Sequence, residues 1–268
     1  MVEKVIVDHE HLAVGTVALV ALLAISGVLI RRLDFFTLRI FEGYWPSWIG
    51  LHSLRQILIK VQNCHIQCME DRWQSLAKRD NLSAWELEKR DTLDWRLAQY
   101  PDSIHPRLPT RLGNILRTSE LWPSEKYGLD PIICWPRLWL LLPEDTRTQL
   151  SESRSTLDSH ASMATCGVML LIWAFIFNIG WMVLVSASVA YLAYRFAIAA
   201  ADSYGSLVKS VFDLHRGKLY SALRWPMSNV PSEEKKSGEA ISMYLFRGVL
   251  SSTFKFDDPI PEASNECH

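Results

Sequence analysis

From Ser159 to Tyr194 the chain runs 36 residues without an Asp, Glu, Lys or Arg. As one straight helix that segment would reach ~54 Å, nearly twice the ~30 Å of a bilayer's hydrocarbon core. It must therefore fold back on itself. Asn178-Ile179-Gly180 lies near its middle. Glycine enters the left-handed conformation that ends a helix, and asparagine bonds its own backbone, so the reversal is expected there with Gly180 as the left-handed residue. Two spanning helices are read, over about 160 to 178 and about 181 to 201.

A third span is read between Glu10 and Arg31, where 20 uncharged residues match the length of one crossing. The rival is a cleaved signal peptide, with Ala24-Ile25-Ser26 as a small-residue site. The preceding flank carries Glu3, Asp8 and Glu10 against Lys4, the wrong sign for a signal peptide, and Arg31-Arg32 follows as a stop-transfer flank. The fold class expected is an all-α integral membrane protein, with three transmembrane helices and a helical cytoplasmic domain.

Basic residues near span ends set orientation. Arg31, Arg32 and Arg39 follow the first span, and Arg195, Lys209, Arg216 and Lys218 follow the third. The N-terminus is therefore expected outside and the C-terminus in the cytoplasm. The divisions expected are an external N-terminus over 1–11, a span over 12–30, and an interfacial amphipathic segment over 31–48. A cytoplasmic helical domain follows over 49–142. A long helix including the second span covers 143–179, the third span with its cytoplasmic extension covers 181–225, and a tail covers 226–268. Arg31, Arg32, Trp45 and Trp48 are the residue types that settle at the headgroup level, and they mark the interfacial stretch.

In the cytoplasmic part, Leu51, Leu54, Ile57, Leu58, Val61 and Cys68 recur at helical spacing, and Ser83-Ala84-Trp85-Glu86 is a capping box that opens a second helix. Prolines cluster between Tyr100 and Pro143, among residues too apolar to remain in water, which predicts a compact, loop-rich section. Pro143-Glu144-Asp145 then opens a helix that runs unbroken into the second span. After Pro226, the charged run Pro231 to Gly238 reads as a solvated linker, followed by a short amphipathic piece over Ile241 to Leu250.

Ala193, Ala197, Ala201 and Gly205 repeat every fourth residue, a spacing that lets two backbones approach closely in lipid. Their partner is either the second span of the same chain or another subunit. Ser186 and Ser188 are the polar positions of the third span, about 200° apart around its axis, so one of them is expected to face a neighbour or a pore.

Signals of chemistry are weak. A net charge of −1 and a pI near 6.7 supply no field for nucleic acid. Cys64, Cys68, Cys134, Cys166 and Cys267 are odd in number and lack framework spacing, so disulfides are not expected. Cys64 and Cys68, with His65 between them, put two thiols on one helical face, but with His52 as the nearest further candidate they fall short of the four ligands zinc wants. Asp213, His215 and Tyr220 read as a solvated helix face. No phosphate-binding glycine loop, zinc-protease helix or serine elbow is present. Neither cofactor, metal nor catalytic residue is expected, and the chain is not expected to be an enzyme.

Phe41 to Pro46, Pro109 to Asn114, Tyr127 to Asp130 and Trp135 to Leu138 resemble patches in uncharacterised bacterial multi-pass membrane proteins. The resemblance implies a bacterial inner membrane and no mechanism. Arg111, Arg117 and Arg137 lie in these patches or beside them, and suggest a surface for a partner or an anionic ligand; salt bridges within the domain are the alternative. Two functions remain open. One is an oligomeric channel or membrane-perturbing effector controlled by the cytoplasmic domain. The other is a non-transporting anchor that docks a soluble cytoplasmic partner. The partners expected are the lipid bilayer, further copies of the chain and such a soluble protein.

Overall fold

The computed structural model describes residues 34–45, 51–102, 106–228, 230–248 and 256. Among the described residues the chain forms eight helices and no strand: α1 Asp34–Glu42, α2 His52–Ala77, α3 Ala84–Leu97, α4 Arg111–Tyr127, α5 Pro131–Leu141, α6 Glu144–Ile176, α7 Gly180–Ala222 and α8 Pro231–Arg247. Two of them, α6 and α7, are long and apolar enough to cross a membrane, where three spans were expected. The expected first span over 12–30 lies outside the described residues, as do Arg31, Arg32 and Trp48.

The two long helices form an antiparallel hairpin, and its turn corrects the sequence reading. Asn178, not Gly180, adopts the left-handed conformation, at φ 55°. The Ile179 N–H donates to the Ala174 carbonyl at 3.0 Å and the Phe177 N–H to Trp173 at 2.9 Å, so the last carbonyls of α6 are capped before the chain reverses. Gly180 instead opens α7, in open space. Small residues then bring the helices together. Gly167 lies against the Ala190 backbone so closely that a Cβ there would sit 2.7 Å from the Ala190 nitrogen.

Below the turn, α4 joins the hairpin. Leu112, Ile115 and Leu116 pack with Leu157 and Ala161 of α6 and Ala197 and Ala201 of α7. A methyl group on Gly205 would overlap the Ser119 hydroxyl, so α4 reaches the α7 backbone there. Farther from the turn, α5 and α8 close a second core around Leu138, Leu150, Phe212, Leu219, Tyr220 and Ile241.

Two expectations are corrected here. The proline-rich section is mostly helical, and Pro123 and Pro136 lie inside α4 and α5. Its helices are well bounded: Thr110 accepts from the Gly113 N–H at 3.1 Å, Gly128 ends α4 at φ 70°, and Asp130 caps α5 through the Ile132 N–H at 2.9 Å. The run from Pro231 to Gly238 is the first half of α8, not a solvated linker. Gly128 and Gly238 meet where α8 crosses the end of α4, because a Cβ on either would strike the other helix's backbone. The α2–α3 pair forms an arm with its own small core of Ile66, Met69, Leu76 and Leu93. Ser83 caps α3, accepting from the Glu86 N–H while the Glu86 carboxylate takes the Ser83 N–H at 2.9 Å.

Ala201 is fully buried between α7 and α4, whereas Ala199 is exposed on the same helix. Ala201→Leu should therefore lower stability by about 1–3 kcal/mol through overpacking, and Ala199→Leu should change it little. Thermal unfolding in detergent measures both; an unchanged midpoint for Ala201→Leu would mean that α4 and α7 do not meet at this face.

Candidate functional site at the inner boundary of the hairpin

The uncharged run of α6 begins just after Asp158, and there α1, α4, α6 and α7 come together. Charged residues concentrate at this level. Arg154 pairs with Asp158 at 3.2 Å and lies 5.6 Å from the Tyr204 ring centre. Arg39 approaches Glu42 at 4.0 Å, and Arg117 donates to the Tyr44 hydroxyl at 3.3 Å. Glu42 is held in place by a close backbone contact, since a Cβ on Gly113 would collide with the Glu42 carbonyl. Burial pushes the Glu42 carboxyl up to about 7, with Glu120 and Asp158 adding to the rise and Arg39 and Arg154 opposing it. The sequence gives no sign of this carboxylate's burial, because Glu42 ends α1 and the elements that cover it are distant in the chain.

Beneath Arg154 a cleft of about 1100 Å³ opens between α5, α6 and α7. Trp135 and Trp139 form one wall, their ring centres 5.9 Å apart, and the serine-bearing face of α6 forms the other.

A polar network ties the arm to the hairpin. Asn114 is fully buried yet satisfied: it accepts from the Leu108 N–H at 2.7 Å and donates to Gln62 at 2.6 Å and to the Leu108 and Thr110 carbonyls at 2.9 Å. Gln99 donates to Asp202 of α7 at 3.1 Å and accepts from Arg111 at 2.9 Å. A second network gathers on Asp213, which accepts from the Tyr127 hydroxyl at 2.6 Å and from Trp122 and Lys126 at 3.2 Å. Burial would raise the Asp213 carboxyl, but these donors outweigh it and hold the group below its ordinary range. Arg216 joins α8 to this network through Glu234 at 2.6 Å. Tyr220 turns inward at 1 % exposed, which corrects its reading as part of a solvated face, whereas the Asp213 side chain stays 35 % exposed.

The residues singled out from the sequence do not converge on one site. Ala193, Ala197, Ala201 and Gly205 are buried within the chain. Ser186 is 2 % exposed and donates to the Met182 carbonyl at 2.6 Å, while Ser188 is exposed and donates to Leu184 at 2.8 Å. Arg111 and Arg117 are engaged inside the fold as described above, and Arg137 folds back onto the Ile133 carbonyl of its own helix at 2.6 Å. Trp45 donates to the Ile40 carbonyl at 2.9 Å. Cys64 and Cys68 are exposed, and among the described residues no three His, Cys, Asp or Glu side chains could hold a metal ion.

Glu42 gives the boundary a defined pH dependence. The unfolded carboxyl ionises near its ordinary 4.5 and the folded one near 7, so the folded state binds the extra proton between these values. Stability should then fall as pH rises from about 4.5 to about 7 and stay level above that. Glu42→Gln should leave the melting temperature unchanged at pH 4 and raise stability by roughly 1–3 kcal/mol at pH 8. Parallel melting curves at both pH values would show the carboxyl to be solvated.

Comparison with known protein families, with curated proteins and with solved structures finds no match, so the reading of this boundary rests on its own residues.

Proposed function

We propose that the chain is a membrane-anchored helical scaffold, in which the α6/α7 hairpin holds a cytoplasmic body and the α2–α3 arm receives a soluble protein partner. The observation that carries this reading is where the small residues of α7 are used. Ala197, Ala201 and Gly205 pack on α4 and α6 of the same chain, and Ser186 is closed inside the hairpin. The close-approach face that a subunit interface or pore would require is thereby already occupied, which favours the anchor over the oligomeric channel.

Membrane placement is supported by the exposed surface of the hairpin. Within the apolar windows 22 % of α6 and 17 % of α7 is buried, and Phe175, Ile176, Trp181, Leu184 and Leu192 are all more than half exposed. An apolar band of this extent is unsuited to water and suited to lipid. On this reading the Ile179 turn is outside and the arm in the cytoplasm of a bacterial inner membrane, an orientation that the basic residues after α7's apolar run support. The arm offers exposed Trp85 and Trp95, with Lys89 4.6 Å above the Trp85 ring, a residue mixture suited to a protein contact.

Two measurements test this reading. A cysteine at Ile179, in a background lacking the native cysteines, should react with an impermeant maleimide in intact cells, and one at Ser83 should not. The purified chain should have the monomer mass of 30.7 kDa in detergent and should leave liposomes ion-tight. A closed oligomer that conducts ions, with a rate altered by Ser188→Leu, would establish the channel instead.

A further inference from the structure

The cleft below Asp158 has a composition that selects among ligands. It spans from Trp135 and Trp139 on α5, past Leu150, to Ser162 near the start of the uncharged run of α6, so one end reaches the apolar part of the hairpin. Trp135 packs on Phe212 at 5.7 Å, which places α5 as a shelf about 16 Å beyond Ala201 along α7. On the proposed membrane placement, the space between this shelf and the bilayer is where lipid headgroups stand.

The charges facing the cleft are one Arg154 and one Asp158, and they pair with each other at 3.2 Å. An anion alone would have to draw Arg154 away from Asp158 in a field that also contains Glu42 and Glu120. A cation alone would take Asp158 from Arg154 and leave the guanidinium without an anion inside the cleft. A molecule carrying both signs satisfies both groups. Asp158 and Arg154 remain about one third exposed on their side chains, so both can be reached. Next to Asp158 in the chain, Ser159 commits its proton to the Ser155 carbonyl at 2.8 Å, which leaves its oxygen as an acceptor. A carboxylate, a hydroxyl acceptor and two indole faces suit an ammonium group, and the acceptors specifically suit one that still carries N–H donors.

We propose that this cleft binds the headgroup of a zwitterionic phospholipid with a primary ammonium, its phosphate on Arg154 and its ammonium between Asp158, Ser159 and the Trp135/Trp139 wall. The site rests on the membrane reading of α6 and α7, which the maleimide experiment tests separately.

The test uses the full chain in mild detergent, titrated with short-chain phosphatidylethanolamine, phosphatidylcholine and phosphatidylglycerol and followed by calorimetry. Phosphatidylethanolamine should bind about tenfold more tightly than either of the others, the worth of one charge-assisted hydrogen bond. Asp158→Asn should abolish that preference, Arg154→Gln should weaken all three lipids, and Ser159→Leu, at an exposed position that the fold does not need, should block binding. Each variant is first shown to melt with the wild type. Equal binding of phosphatidylethanolamine and phosphatidylcholine, tightest binding of phosphatidylglycerol, or wild-type selectivity in both Asp158→Asn and Ser159→Leu would overturn the proposal. Glycerophosphoethanolamine, which lacks acyl chains, separates the sources: binding as tight as that of the lipid would mean a soluble phosphoethanolamine compound and would also overturn it.

Discussion

Between Gly167 and Ala190 the backbones of α6 and α7 meet with no side chain between them, and that approach fixes where every later residue of both helices can lie. Two helices of 33 and 43 residues extend well past the ~30 Å of a hydrocarbon core. The hairpin geometry set at Gly167 is therefore carried out of the apolar zone as a stalk. On that stalk α4 is docked by Ala197, Ala201 and Gly205, α5 by Phe212, and α8 by Tyr220 and Ile241. A change of a few tenths of an ångström at the small residues would be amplified along the length of both helices.

The same helix packs by two different rules along its length. In the part nearest the turn α7 buries Ser186, Ala193, Ala197 and Ala201, and beyond Gly205 it buries Val211, Phe212, Leu219 and Tyr220. On the proposed membrane placement the switch would follow the solvent. Lipid offers no hydrophobic drive for association, so contact there depends on small residues and backbone proximity. In water, burial of large apolar surface supplies about 25 cal/mol per Å², and large side chains contribute most. The change in residue size along this face of α7 falls near Gly205, eleven residues past Tyr194, where the uncharged run ends.

The hairpin and the two long helices were legible in the sequence because charge absence and helix length are long-range, additive signals. The capping box at Ser83 was legible because its two reciprocal bonds need only local spacing. The left-handed residue was misassigned because Asn178 and Gly180 can both adopt that conformation, and the choice depends on which residue the last α6 carbonyls reach. Residues Pro231 to Gly238 looked solvated for a different reason. The buried positions of α8 are Glu234, Gly238, Ile241 and Ser242, at helical spacing but with a single apolar side chain among them. Glu234 is buried because Arg216 neutralises it from α7, and Gly238 because α4 lies against it. Neither partner is visible from α8 itself. Prolines 123 and 136 misled in the same way, since a lost helix hydrogen bond can be offset by tertiary packing that local sequence does not report. At the boundary, Arg154 and Asp158 could be paired by their spacing of four, whereas Glu42 could not be placed beside them without knowing that α1 folds onto α6.

The arm differs from the rest in how it is attached. Its own core is small, and its described links to the body are mainly polar: Gln62 and Asn114, Arg107 with Asn63 at 3.1 Å, and Gln99 with Asp202. Polar contacts lose strength as soon as their geometry changes, and they specify one arrangement more than they stabilise it. The arm therefore belongs to the low-stability end of the fold, where local opening costs least. Gln99 makes this consequential, because one side chain bonds both Arg111 at the start of α4 and Asp202 on α7. A partner that shifts the arm must either break those two bonds together or carry α4 with it, and α4 is the helix that closes the boundary at Glu42. The arm and the charged boundary are thus joined through one helix, which Gln99 meets at Arg111 and Glu42 meets at Gly113.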